Sequence, residues 1–147
     1  MAFGDGFYYC DSIMRQFGGV SCPEMTFMEA NKYIFSTTPH VCDPADENGH
    51  YGICNWHGAG KHTAGVEDGF GPGDSYTIDT RSPFHVMVNL EEDGGKFIGV
   101  KTTFTQGDQS FVIENKDTDY LELMTDDVRA GQVLSISSWK GDDRWLR

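Results

Sequence analysis

The segment Ser21-Cys22-Pro23-Glu24-Met25-Thr26-Phe27-Met28-Glu29-Ala30-Asn31 carries two glutamates five positions apart in an apolar stretch. In a regular strand Glu24 and Thr26 share a face and Glu29 falls on the opposite one. A single β-bulge between them would bring all three to the same face. Two carboxylates on one concave sheet face, about 5–5.5 Å apart, make the arrangement of a retaining glycosidase. One attacks the anomeric carbon while the other protonates the leaving oxygen. Closeness divides the roles, because the charge of one raises the pKa of its neighbour. Alone, Glu-x-Thr-x-x-Glu is a weak signal, since two glutamates in one strand more often lie on a solvated face.

Other clusters point less far. Asp43, Asp46, Glu47 and Asn48 offer the oxygen ligands that calcium prefers, but the EF-hand spacing is absent and a solvated acidic turn is the commoner use. His57 and His62 would make two ligands of a zinc site with no third at a diagnostic spacing, so no metal is expected. No Gly-x-Ser-x-Gly, P-loop or dinucleotide fingerprint occurs.

The elements that must position these residues read as strands. Residues 84–90 alternate, with Phe84, Val86, Val88 and Leu90 on one face and His85, Met87 and Asn89 on the other, a period of two. Residues 75–80, 96–106, 109–114 and 133–139 read as further strands, separated by turns at Asp93-Gly94 and Gly107-Asp108. Helix is expected only in short pieces, at 12–17 and 117–124. Residues 28–35 have some helical spacing that fits a strand leaving the sheet equally well. Six glycines between Gly58 and Gly73 predict a long surface loop. The pattern is that of an all-β antiparallel sandwich.

Composition sets the outer limits. The chain has 147 residues, the size of one domain, taken as residues 1–147. Aromatics make up 13% and hydrophobic residues 38%, too much for wholesale disorder. The 23 acids against 11 bases give a net charge of −12. That balance argues against nucleic acid and against an anionic membrane surface, and leaves a neutral ligand such as sugar open. No stretch is long and apolar enough for a spanning helix, and the first residues lack the features of a signal peptide. Four cysteines, Cys10, Cys22, Cys42 and Cys54, fall in the first 54 residues. Their even number favours two disulfides, with four buried thiols as the alternative.

Several segments, in fixed order, resemble glycoside hydrolase family 7, the fungal and protist cellulases. The stretch from Glu24 to Asn31 resembles the family's active-site strand, Glu-Met-Asp-Ile-Trp-Glu-Ala-Asn. Tyr9-Cys10-Asp11-Ser12 resembles its Tyr-Cys-Asp-Ser. Thr38-Pro39-His40, followed by Cys42, resembles its Thr-Pro-His-Pro-Cys. Gly71-Pro72-Gly73 and Tyr76-Thr77-Ile78-Asp79-Thr80 are similar to Tyr-Gly-Pro-Gly and Phe-Thr-Val-Asp-Thr. Residues 84–90 look like the next strand, and residues 130–139, then Trp145-Leu146, like the late strand pair. These matches cover nearly the whole chain but only the central part of a much longer family.

The resemblance implies a shortened concanavalin A-like jelly roll with a glucan cleft across its concave face. Glu24 would be the nucleophile and Glu29 the general acid/base of a retaining β-1,4-glucanase that needs no cofactor. His40 would line the cleft beside the acid, and Trp139 and Trp145 would be sugar platforms, though a histidine after proline or a tryptophan beside a strand is often structural. Asp11 and Ser12 would hydrogen-bond the nucleophile or cap a turn. The resemblance also implies the pairings Cys10–Cys22 and Cys42–Cys54, and extracellular location.

The departures are informative. Thr26 stands where the family has an aspartate. Threonine donates a hydrogen bond but cannot share a proton, so activity is expected to fall on the order of 10²-fold. Shortened loops favour an open cleft and attack within chains. The rival expectations are a glycan-binding or structural domain that does not cut, and self-association or partner chains that complete a partial jelly roll.

Overall fold

The computed structural model describes residues 2–3, 7–8, 10–13 and 19–138. Ten strands and two short helices are present among them. The first two strands, β1 (Ala2–Phe3) and β2 (Phe7–Tyr8), pair antiparallel. Strand β3 (Glu24–Ala30) pairs antiparallel with β4 (Phe35–His40), which pairs in turn with β5 (Lys61–His62). The second three-stranded sheet is β8 (His85–Asp93), β9 (Lys96–Gln106) and β10 (Gln109–Asn115), with β9 central. Strands β6 (Phe70–Gly71) and β7 (Ile78–Asp79) form a short parallel pair, the exception to the antiparallel rule.

The two larger sheets pack face to face. Period-two alternation assigns Val100, Thr102 and Phe104 of β9 to the interior and Lys101, Thr103 and Thr105 to the outside. Phe35 of β4 meets Phe104 edge-on, with ring centroids 4.8 Å apart, and Phe70 joins them. Met25, Phe97, Val100, Leu121 and Met124 make the neighbouring part of the core. Where polar side chains enter the interface they pair, as the Thr37 and Thr102 hydroxyls do at 3.2 Å.

Tight turns set the register of the second sheet. Gly94 and Gly95 join β8 to β9 with φ of 57° and 82°, the two positive values a type I′ turn requires. Gly107 alone has positive φ in the β9–β10 turn. Residues 96–106 form the expected strand, the one expected at 109–114 runs one residue longer, and the one expected at 84–90 starts one residue later and ends three residues later. Of the 75–80 expectation, only Ile78–Asp79 is strand.

Three expectations are corrected. Residues 58–73 are not one loose loop: they hold β5, a 3-10 turn at Thr63–Gly65 and β6, and Thr63 and Phe70 are buried. Gly58, Gly60, Gly69 and Gly71 lie where a Cβ would clash, so they permit close packing rather than freedom. Residues 131–138 form no strand, and Val133 and Ile136 are 96% and 86% exposed. An alternating pattern specifies a face to bury, but a strand also needs a neighbouring ladder, which this stretch lacks among the described residues. The expected helix at 117–124 is α1 (Thr118–Glu122), capped by the Asp117 carboxylate on the Tyr120 N–H, and an unexpected α2 (Thr125–Ala130) follows it. Of the helix expected at 12–17, Ser12 and Ile13 form a turn, and 14–18 lie outside the described residues.

Candidate active site

Strand β3 carries the candidate carboxylates, and its pairing with β4 decides where they point. Glu24 lies opposite His40, Thr26 opposite Thr38, and Glu29 opposite Ser36. Three steps on β3 therefore match two on β4, and the register shifts between Thr26 and Glu29. This is a β-bulge of one extra residue. Directly opposed residues in an antiparallel pair share a face. Glu24, Thr26 and Glu29 thus stand on one side with Ser36, Thr38 and His40, while Met25 and Phe35 point into the core. The Ser36 and Thr38 hydroxyls, 3.1 Å apart, lie along that same side.

Glu24 is held from both ends. The Thr26 hydroxyl donates to its Oε1 at 2.9 Å. The Ser12 hydroxyl and backbone N–H donate to its Oε2 at 3.1 and 3.2 Å. Three neutral donors on one carboxylate fix its rotamer without a cation. Ser12 is brought there by the Cys10–Cys22 disulfide and by the Cys22 N–H on the Asp11 carbonyl. Asp11 itself turns away and accepts the Ile13 N–H, so of the two residues one binds the glutamate and the other caps the turn.

Glu29 is half-buried. Burial pushes its pKa above the ordinary carboxylate value, and the Glu24 charge pushes it further the same way. The Glu24 charge is thus felt at Glu29 and favours a proton there.

His40 sits across from Glu24 rather than beside Glu29, and is only 7% exposed. Its Nδ1 lies 3.1 Å from the Asn55 carbonyl. A carbonyl can only accept, so that nitrogen carries the proton and Nε2 is left as an acceptor. The covering segment runs along β4 on the side away from β3. The Asn55 N–H bonds the Val41 carbonyl, and the Ala59 N–H bonds the Pro39 carbonyl. Residues 56–58 arch between those two bonds. Gly58, at φ 64°, comes so close that a Cβ there would lie 2.5 Å from the Pro39 oxygen and 2.8 Å from His40 Nδ1. The Cys42–Cys54 disulfide anchors the start of this arch.

Trp139 and Trp145 lie outside the described residues. Asp46 accepts the Asn48 and His50 N–H groups, and Asp43 accepts the Ile53 N–H, so this acidic loop engages its own backbone. His57 lies against Trp56, and His62 pairs across from Ser36. No group of three or more metal-ligating side chains occurs among the described residues. Sequence reasoning missed Asn55, Trp56 and Tyr120. A tryptophan two residues past a cysteine carries no diagnostic spacing, Asn55 acts through its backbone carbonyl, and the Tyr120 hydroxyl acts on backbone some eighty residues away.

The family model described as Glycosyl hydrolase family 7 matches residues 11–133. Endoglucanase EG-1 of Humicola insolens is 26% identical to this chain over 166 residues, covering 87% of the chain and 38% of that protein. Endo-beta-1,4-glucanase celB of Emericella nidulans is 30% identical over 148 residues, covering 82% of the chain and 33% of that protein. The chain thus spans between a third and two-fifths of the length of these relatives. The native structure of Humicola insolens endocellulase EGI aligns with a TM-score of 0.59 at 20% identity, over 76% of this chain and 33% of that one. The antiparallel sandwich is accordingly of the jelly-roll type. With most of its length matched by the family model and its sheets laid out as described, this chain belongs to glycosyl hydrolase family 7.

Proposed function

We propose that this protein hydrolyses β-1,4-glucosidic bonds of cellulose or a related β-glucan with retention of configuration. The observation that carries the reading is the bulge in β3, which sets Glu24, Thr26 and Glu29 on one non-core face. In the first step a Glu24 oxygen attacks the anomeric carbon as the glycosidic C–O bond breaks, and Glu29 gives its proton to the leaving oxygen. In the second, Glu29, now ionised, takes a proton from water whose oxygen attacks the same carbon and releases Glu24. The raised pKa of Glu29 suits the acid role, and the three donors around Glu24 suit a nucleophile that must stay in one rotamer. His40 would touch sugar through Nε2 alone, given how little of it is exposed. Trp139 and Trp145 remain proposed sugar platforms. The endoglucanase relatives favour attack within chains over attack at chain ends. Two disulfides suit an oxidising, extracellular setting.

A second reading, a domain that binds glucan without cutting it, is favoured by Thr26. Its hydroxyl keeps the hydrogen bond to Glu24 but holds no exchangeable carboxyl proton. One experiment separates the two: reducing-sugar release from soluble β-glucan by the parent, Glu24→Gln and Thr26→Asp. Hydrolysis requires parent activity, a loss of at least about 10³-fold in Glu24→Gln, and a gain of about ten- to a hundredfold in Thr26→Asp. Full activity in Glu24→Gln would sink the assignment. Binding without release in all three would establish the second reading.

A further inference from the structure

We propose that Trp56 is a sugar-stacking platform on the wall of the candidate cleft, with a neutral β-glucan chain as its ligand; this rests on the glucanase reading above. The floor of the cleft is the outer face of β3, with Glu24, Thr26 and Glu29. The wall is the arch at residues 56–58. Its side is fixed by contact: Gly58 presses on the Thr38 methyl and on His40, the residues that share a face with Thr26 and Glu24. The arch therefore rises on the catalytic face, one strand beyond β4. That is two strand spacings from β3, roughly 9–10 Å, within the reach of an oligosaccharide seated on Glu24.

Trp56 stands in this arch with 45% of its surface exposed. An indole is costly to leave in water. The His57 ring lies against it, with centroids 3.5 Å apart and planes tilted by 31°. That contact and the disulfide at Cys54 hold the indole in place rather than leaving it to swing. A flat, apolar, braced surface matches the C–H face of a pyranose ring. The net charge of −12 disfavours anionic ligands at the same spot.

The test is calorimetric binding of cellotetraose, with Glu24→Gln as the parent so that the ligand stays intact. Trp56→Ala is expected to weaken binding about tenfold, the scale of one aromatic contact. Trp56→Phe should restore affinity to within about threefold. In the parent, the indole N–H resonance that disappears in Trp56→Phe should shift on adding the sugar. Unchanged affinity in Trp56→Ala overturns the platform and leaves the glucanase reading intact. Equal weakening in Ala and Phe variants, with lowered Tm in both, makes Trp56 a loop brace and overturns it too. Failure of the parent to bind any cello-oligosaccharide overturns the platform together with the reading it rests on.

Discussion

Glu29 is protonated more readily than an ordinary glutamate for two separable reasons, and they can be removed one at a time. Burial contributes most and the Glu24 charge adds to it. In Glu24→Gln the charge goes and the burial stays. A carboxyl titration by NMR should therefore show the Glu29 pKa falling toward 4.5 without reaching it. A pKa unaffected by Glu24→Gln would mean the two groups do not sense each other. The same shift has a stability consequence. The folded state binds this proton more tightly than the unfolded chain, whose value is near 4.5. The protein is therefore favoured below that pH and loses stability as pH rises from there to the raised folded value. Glu29→Gln removes the penalty, so its Tm relative to the parent should be higher at pH 7 than at pH 4. An equal difference at both would contradict the shift.

At the scale of elements, α1 reaches back to the site through one atom. The Tyr120 hydroxyl accepts the Val41 N–H at 3.1 Å and donates to the Pro39 carbonyl at 3.3 Å. Those two residues flank His40, where β4 and its pairing with β3 end. One phenol thus replaces missing sheet hydrogen bonds and holds the backbone opposite Glu24. Tyr120→Phe leaves the Val41 N–H without its acceptor, at about 1–3 kcal/mol. Urea unfolding should show that loss with an unchanged m value, and kcat should fall with it as His40 loosens. Unaltered stability would mean water takes over the bridge. The arch at 56–58 is a similar device on the other side of His40, where only glycine fits at position 58.

Over the whole molecule, the second sheet extends past its cover. Val86 and Leu90 pair with Phe104 and Val100 and so share their inward face. Yet Val86 is 38% and Leu90 40% exposed, because among the described residues β8 is an edge strand with little packed over it. Apolar inner-face surface at a sheet edge favours association. Sedimentation across a tenfold or wider concentration range should show reversible self-association, diminished by Leu90→Glu. A monomer at every concentration would show that this edge is tolerated in water. The interior itself depends on Phe104, which touches Phe35, Phe70 and Phe111.

What the sequence by itself determined is local and periodic. Alternation and turn glycines marked β9 in full, β10 to within a residue and β8 short of its last three residues, because backbone twist and side-chain period are properties of the chain. The cysteine pairs and the two-glutamate motif were legible through the resemblance to a family, and the observed pairs agree. What only the tertiary structure decided is which faces meet. Whether Glu24 and Glu29 share a side hinged on one bulge residue, and a bulge is settled by the partner strand's register. The strand expected at 133–139 failed in its described part for the converse reason: its alternation is real, but it has no ladder neighbour among the described residues. His40 was singled out through the resemblance, but its position across from Glu24 comes from the register of β3 on β4, and its Asn55 contact from a segment fifteen residues on. Residues such as Trp56 and Tyr120 could not be chosen in advance, because what they do depends on neighbours that are distant in sequence and adjacent only once the sheets have packed.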